Sequence, residues 1–354
     1  MAEIPEKQDL RSLTAEELIA AFAKIGEPSF RAKQVHDWLW AKSATDFDQM
    51  TNLSLKTRGW LSEHFAINAA LEHTKQISSD KTIKTAFRLH DGHLVEGVLI
   101  PTSERTTACV SSQVGCSLTC KFCATGYMER KRNLEASEMY DQIVLLRKQA
   151  EEHYQLPLTN IVYMGMGEPL LNYHNVVKSI DLVTSDKGLH MAARRITVST
   201  AGIAKMIKKL GDDEVRFNLA LSLHAANDEK RNQIMPINET NTLKALEESM
   251  NHFYTKTENR ITLEYIVFKK FNDSLQDAQE LVEFAKRIPC RVNIIQYNPI
   301  AEASFMNADA LSTEQFKTHL ETSGVIVNVR RSRGKDIDAA CGQLANKSKG
   351  GQGS

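Results

Sequence analysis

Cys116-Ser117-Leu118-Thr119-Cys120-Lys121-Phe122-Cys123 is the stretch on which the rest of the chain hangs. Its three cysteines are spaced C-x3-C-x2-C, with Gly115 before the first and an aromatic ring before the third. Three thiolates this close together suit a soft metal centre, because each sulfur is charged and polarisable. Structural zinc closes with four ligands, and no histidine or fourth cysteine stands close by. Iron–sulfur cubes ordinarily take four cysteines too, so a cube on three leaves one iron open for a substrate. The same spacing also lines one helix face with small apolar residues, and taken alone it leaves both readings standing.

Around this stretch, strand-like and helix-like patterns alternate from Arg105 onward. The strand candidates are Thr106–Val110, Asn160–Met164, Arg195–Ser199, Phe217–Leu223, Ile261–Phe268 and Val292–Tyr297, with Val325–Arg330 as a further one. Between them lie helical runs at Ala136–Lys148, Asn175–Thr184, Leu243–Tyr254 and Ser274–Arg287. Six βα repeats predict an α/β fold with a parallel barrel not closed to eight strands. In such barrels chemistry sits at the carboxyl ends of the strands, and the three cysteines follow the first strand. After the second comes Gly165-Met166-Gly167-Glu168-Pro169, where glycines let backbone approach a ligand and Glu168 offers an acceptor. Ser199 ends the third strand, Ser222, Leu223 and His224 end the fourth, and Asn298 follows the sixth. Each alone is an ordinary capping or turn residue. Four strand ends that each supply a polar group make a candidate site.

Ahead of the repeats, two alternating runs, Thr82–His90 and His93–Pro101, flank Asp91-Gly92, a strong hairpin signal. Glu96 sits in the second run among Leu94, Val95, Val98 and Leu99, where desolvation is expected to raise its pKa and suit it to act as a base. Residues before this read as helical: cap chemistry at Ser12–Glu17 precedes an apolar face of Leu18, Ile19 and Phe22. A second helix from Arg31 to Trp40 follows the break at Gly26–Phe30. The expected division is a helical accessory domain at 1–75, a β-hairpin extension at 76–104, the barrel at 105–345 and a polar, glycine-rich disordered tail at 346–354.

Composition bounds the function. Forty-four basic residues balance 44 acidic ones in 354, so any nucleic-acid surface must come from local clusters rather than a global basic excess. The candidate clusters are Arg130–Arg132, Lys205 with Lys208 and Lys209, Arg330–Arg333, and Arg31, Lys33 and His36 on the second helix. Six cysteines are too sparse for a disulfide scaffold and favour metal or catalytic roles in a reducing compartment. No run approaches a membrane span and residues 1–7 do not read as a signal peptide, so the expectation is a cytoplasmic protein with no membrane partner. Cys290, alone before the sixth strand, reads as a buried inert thiol.

C-x3-C-x2-C with an aromatic before the last cysteine resembles the signature of the radical S-adenosylmethionine (SAM) superfamily. The longer stretch from Cys109-Val110-Ser111-Ser112-Gln113-Val114-Gly115 through Arg132-Asn133-Leu134 resembles the RlmN/Cfr family of adenine methyltransferases. The resemblance implies a partial (β/α)6 barrel, with one [4Fe-4S] cluster on Cys116, Cys120 and Cys123 and SAM on the open iron, two SAM being used per turnover. It implies that Gly167 and Glu168 grip the SAM amino group, and that Ser199, Ser222, Leu223, His224 and Asn298 hold its ribose, carboxylate and adenine. It assigns to Cys341 a methyl group that loses a hydrogen to a 5′-deoxyadenosyl radical and adds to adenine. Glu96 then removes the ring proton, and Cys109 resolves the crosslink by forming a Cys109–Cys341 disulfide. A thiol reductant resets that disulfide, and flavodoxin or ferredoxin supplies electrons to a monomeric enzyme. The helical domain is expected to help hold RNA.

The implied substrates are 23S rRNA and tRNA, with methylation at C2 of adenine 2503 and of adenine 37 in certain tRNAs. A Cfr-type enzyme would use the same residues at C8; the Asn133-Leu134 segment and the surroundings of Cys341 favour C2. The stretch from Ala124 to Lys131 departs from better-known members, which bears on loop shape and RNA contacts rather than on the cysteines. A non-catalytic RNA-binding protein with structural zinc is the reading from another class, and iron content after anaerobic purification separates it from the enzyme.

Overall fold

The computed structural model describes residues 7–346. Three helices come first: α1 (Ala15–Lys24), α2 (Ser29–Trp40) and α3 (Leu55–His64). Thr14 caps α1 through a capping box with Glu17, satisfying two amide groups that the first turn leaves free. One sheet of ten strands follows, and its order in space is its order in sequence. The strands are β1 (Leu71–Ile77), β2 (Ile83–Arg88), β3 (Leu94–Pro101), β4 (Thr106–Cys109), β5 (Asn160–Tyr163), β6 (Ile196–Thr200), β7 (Asn218–Ser222), β8 (Ile261–Ile266), β9 (Cys290–Ile295) and β10 (Val327–Arg330). Pairs from β1 to β4 are antiparallel, and every pair from β4 to β10 is parallel. The crossovers are α4 (Ala136–Tyr154), α5 (Tyr173–Thr184), α6 (Ala204–Asp212), α7 (Asp228–Ile234), α8 (Leu243–Thr257), α9 (Leu275–Lys286) and α10 (Ala310–Thr322). The six expected barrel strands are all present, and β10 makes a seventh.

Strand alternation explains both the core and the hollow. Ile161, Val198, Leu219, Leu263 and Val292 are fully buried in the main core, each worth about 1.5–3 kcal/mol on burial. Their neighbours Asn160, Thr197, Asn218, Thr262 and Asn293 line the lumen instead. Closed barrels fill that space with bulky branched side chains. Small polar ones here leave a cavity of about 830 Å³, lined from all seven parallel strands. The sheet curls into a partial barrel, and among the described residues β1 and β10 are its two edges, each paired on one side only.

The helices are bolted to this barrel through α4. Arg11 reaches both carboxylate oxygens of Asp141 at 2.8 and 2.9 Å, and the Ala70 amide donates to the same carboxylate at 2.8 Å. Tyr140 stacks edge-on against Trp40, with ring centroids 5.2 Å apart, and donates its hydroxyl to the Trp40 carbonyl. No helix of the described residues is long and apolar enough to cross a membrane.

Two expectations need correction. Residues 71–75, read as helical, belong to β1; as an edge strand exposed along almost its whole length, it carries no apolar alternation to betray it. The tail expected from 346 lies outside the described residues except for Asn346. That residue is tied down, its side-chain amide on the Leu94 carbonyl at 2.7 Å.

Candidate active site

Beyond Cys109 at the end of β4, the chain folds the cysteine stretch over the barrel mouth. Gln113–Val114 pairs antiparallel with Arg132–Asn133 and closes the loop at its base. Gly115 makes the turn at φ +76°, and a Cβ there would stand 2.1 Å from the Glu129 carbonyl oxygen, so only glycine fits. The loop is clamped from two sides: the Lys121 amide donates to the Ile234 carbonyl at the end of α7 (3.0 Å), and the Ala124 amide to the Gly342 carbonyl (2.7 Å).

Cys116, Cys120 and Cys123 all line the cavity. Burial pushes the Cys116 thiol up to about 12 and raises Cys120 and Cys123, and negative neighbours add to this: Glu168 and Cys123 at Cys116, Cys123 and Cys116 at Cys120. Thiols in such surroundings keep their protons until a metal displaces them. Among the described residues no three His, Cys, Asp or Glu side chains converge as the ligands of one ion do. Phe122, the aromatic before the third cysteine, packs on His224 (centroids 4.6 Å apart) and Phe268 (5.8 Å) in a second apolar cluster that shields the loop from below.

The strand ends differ in how they present the expected SAM ligands. Glu168 is buried; its carboxylate accepts the Ala201 amide at 2.8 Å and the Leu170 amide at 3.1 Å, and burial raises its pKa against those bonds. A carboxylate has lone pairs to spare beyond two acceptances, so a ligand ammonium fits. Ser199 and Ser222 meet at 3.4 Å across β6 and β7. His224, at φ +55°, lines the cavity; burial and then Arg231 lower its pKa to about 3. The ring is neutral, and its Nδ1 accepts the Ile266 amide at 3.2 Å.

Gly167 is needed for a reason other than ligand approach. At φ +94° its Cβ would fall 2.5 Å from the Gln113 Cβ, so the close approach is to the chain itself. Leu223 points into the core rather than the cavity. Asn298 lies behind the lining, its amide on the Cys341 carbonyl at 3.2 Å, while its buried Oδ1 has no partner. Such an orphaned acceptor fits a polar ligand edge.

Cys109 and Cys341 both face the cavity and feel each other electrostatically; burial first, then Cys341, push Cys109 up to about 12. Arg330 answers both thiols and the buried Glu264, whose Oε2 is otherwise unpartnered. Sequence reasoning treated Arg330 as a phosphate contact. It ends β10, and the strand-end rule applied to that seventh strand would have found it. Glu96 is buried but does not line the cavity. The expected bare apolar setting is replaced by Lys84 at 3.5 Å and the amides of Ala345 and Asn346 at 2.9 and 3.1 Å. It therefore ties down the segment that carries Cys341. Cys290 stays outside the cavity, its thiol on the Ala285 carbonyl.

The basic clusters divide likewise. Arg132 is held by Glu138 (2.7 Å twice) and Asp91 (2.5 Å), Lys131 by Glu129, Lys209 by Asp213 and Arg31 by Glu27. Arg331 and Arg333 are exposed and line the cavity mouth.

Comparison with known proteins agrees with this geometry. Residues 8–67 match the family model for the ribosomal RNA large subunit methyltransferase N-terminal domain, and residues 110–285 match the radical SAM superfamily. A probable dual-specificity RNA methyltransferase RlmN of Cytophaga hutchinsonii is 66% identical over 342 residues, 97% of this chain and 94% of that protein. The chain belongs to the RlmN family. An RlmN of the same description from Fervidobacterium nodosum is 42% identical over 96% of this chain and 98% of its own. A solved radical SAM methyltransferase from Sphaerobacter thermophilus superposes with a TM-score of 0.90 at 39% identity, covering 95% of this chain and 99% of that one. An RlmN-family chain is a radical SAM enzyme, and the family brings with it SAM and a [4Fe-4S] cluster.

Proposed function

We propose that this protein methylates C2 of adenine 2503 in 23S rRNA and of adenine 37 in certain tRNAs, through a methylated Cys341. The observation that carries the reading is the single cavity shared by five cysteines: the three of the loop, Cys109 and Cys341. Cys116, Cys120 and Cys123 would hold the cluster, and Glu168, Ser199, Ser222, His224 and Asn298 would hold SAM, with Gly167 and Leu223 setting the backbone beside Glu168 and His224. Cluster and SAM together supply a carbon-centred radical, chemistry that no side chain can perform.

The chain's own residues do the rest. Cys341, once methylated by a first SAM, offers a methyl hydrogen and then carries the carbon that bonds to adenine. Glu96 accepts the ring proton after the Ala345–Asn346 amides release it. Cys109 attacks the Cys341 sulfur as thiolate; the carbon–sulfur bond breaks with its electron pair going to the methylene carbon, which takes up a proton to become the methyl group, and a thiol reductant opens the disulfide left behind. Arg330 stabilises the thiolate that attacks. A flavodoxin or ferredoxin gives the electron, one cluster and two SAM serve each turnover, and the enzyme works in the cytoplasm as a monomer. The adenine must leave its stack to reach the cavity, at a cost of a few kcal/mol. Arg331 and Arg333 at the mouth, Lys205 and Lys208, and the helical domain of α1 to α3 are its phosphate contacts.

Anaerobically reconstituted protein, given reductant, trideuteromethyl-SAM and a 23S rRNA fragment, tests this. Nucleoside mass spectrometry should return 2-methyladenosine with two deuterium atoms in its methyl group, the third having been lost to the radical. Three retained deuterium atoms, or 8-methyladenosine, would overturn the reading.

A further inference from the structure

Arg231 is the largest fully sealed side chain among the described residues, and the mechanism above does not use it. It sits on α7, in a run of charged and amide residues that reads as solvated surface. Its guanidinium instead points inward to the ends of β6 and β7. Nε donates to the Leu223 carbonyl at 3.0 Å, Nη2 to the Ala201 carbonyl at 2.6 Å and the Ser222 carbonyl at 3.1 Å, and Nη1 to Asn238 Oδ1 at 2.6 Å. All four partners are neutral. The nearby groups that favour its charge are Cys120, ahead of Asp228, and they offset only part of the cost of burial, which lowers its pKa to about 10. It stays cationic at neutral pH. The helix that carries it ends by accepting the Lys121 amide through Ile234, so the charge and the cysteine loop share one rigid frame.

We propose that Arg231 is a positioning residue for charge: fixed on the helix whose end holds Lys121, next to Cys120 in the loop, it raises the reduction potential of the cluster. The proposal rests on reading Cys116, Cys120 and Cys123 as cluster ligands. Taking up one electron makes an already anionic cluster and its thiolates more negative, which a low-dielectric pocket resists. A fixed cation near one ligand favours the reduced state. Glu168 acts on the same thiols with the opposite sign, but the ammonium of bound SAM answers it. Arg231 then remains as a fixed positive charge, with Asp228 as its nearby countercharge. Neutral partners matter here, because a carboxylate in their place would extinguish the field.

The test is an EPR-monitored redox titration of reconstituted full-length protein, with iron content measured alongside. Arg231→Met keeps the bulk and removes the charge. Its reduced-to-oxidised ratio at a fixed poise should fall about tenfold or more, about 59 mV per tenfold for one electron. Arg231→Lys should stay close to wild type. Asp228→Asn removes the nearby countercharge while keeping the oxygen that accepts from Asn238 and the Leu243 amide, and should shift the ratio upward. It decides the matter if Arg231→Met does not fold. An unmoved potential in Arg231→Met, equal shifts in Met and Lys, or no rise in Asp228→Asn would overturn the proposal. Wild-type protein that binds no iron would be a different failure, that of the cluster assignment itself.

Discussion

Among the described residues two arginines are sealed inside, one where the helices meet the barrel and one on the helix that anchors the cysteine loop. Arg11 is met by Asp141 at 2.8 Å and Asp9 at 3.4 Å; burial pulls its pKa down, yet these carboxylates more than offset it. Arg231 is met by three carbonyls and one amide, and burial prevails. The first is answered at close range by opposite charge, which leaves no positive field beyond that cluster of charges. The second keeps its charge and directs it at the site. Burial alone does not mark a functional cation; the charge of its partners does.

The sharpest way to press this comparison is at the site end. Replacing Cys120 with alanine should abolish iron retention, since two thiolates cannot hold a cube, while the Arg11 junction and the fold remain. Iron analysis after anaerobic reconstitution reads this directly, and full iron content would show that the thiol facing Arg231 is no ligand. Next, Cys109→Ala should stall turnover after carbon–carbon bond formation, so protein from cells should carry RNA bound covalently to Cys341. Intact-mass spectrometry after ribonuclease should find a nucleotide remnant. RNA-free protein whose substrate is fully methylated would rule out resolution by Cys109.

At the junction the effect is on stability instead. Arg11→Ala leaves Asp141 buried and unpaired and should cost about 3–5 kcal/mol, seen in denaturant unfolding, with the cluster of the folded fraction spectroscopically unchanged. The double change Arg11→Met with Asp141→Leu should recover most of that loss. A cluster spectrum altered by Arg11→Ala would erase the contrast between the two arginines. The smallest effect concerns pH. Because burial raises Cys109 to about 12, its thiol is protonated at neutral pH and the reactive thiolate grows as pH rises. Single-turnover crosslink release should therefore speed by about tenfold per unit between pH 7 and 9. A flat profile would place another step, or another thiol, in control.

What the sequence disclosed follows from where periodicity survives. The barrel strands are buried on their helix side, so Ile161, Val198, Leu219 and Leu263 stand out from their polar neighbours. The cysteine loop is legible because thiols at that spacing have few other uses. β1 escaped notice because it buries almost nothing. Arg231 escaped because three of its four hydrogen-bond acceptors are backbone carbonyls, which leave no mark in the sequence. Arg330 and Glu96 were seen, but their partners come from β8, β2 and the last described residues, up to 250 positions away. Only folding brings these together.

A sheet whose spatial order repeats its sequence order is laid down one strand at a time as the chain leaves the ribosome. Each new strand finds its neighbour among residues just made, so no distant partner need be awaited. The cysteine loop thus gains its walls from β5 to β9 well before residues 339–346 exist. Those last residues cross over it, with the Gly342 and Leu344 carbonyls on Ala124 and Thr125 and the Ala345 and Asn346 amides on Glu96. The segment that follows the barrel strands in the chain is thus the one that crosses over the loop of Cys116, Cys120 and Cys123, and it can settle there only on walls that are already built.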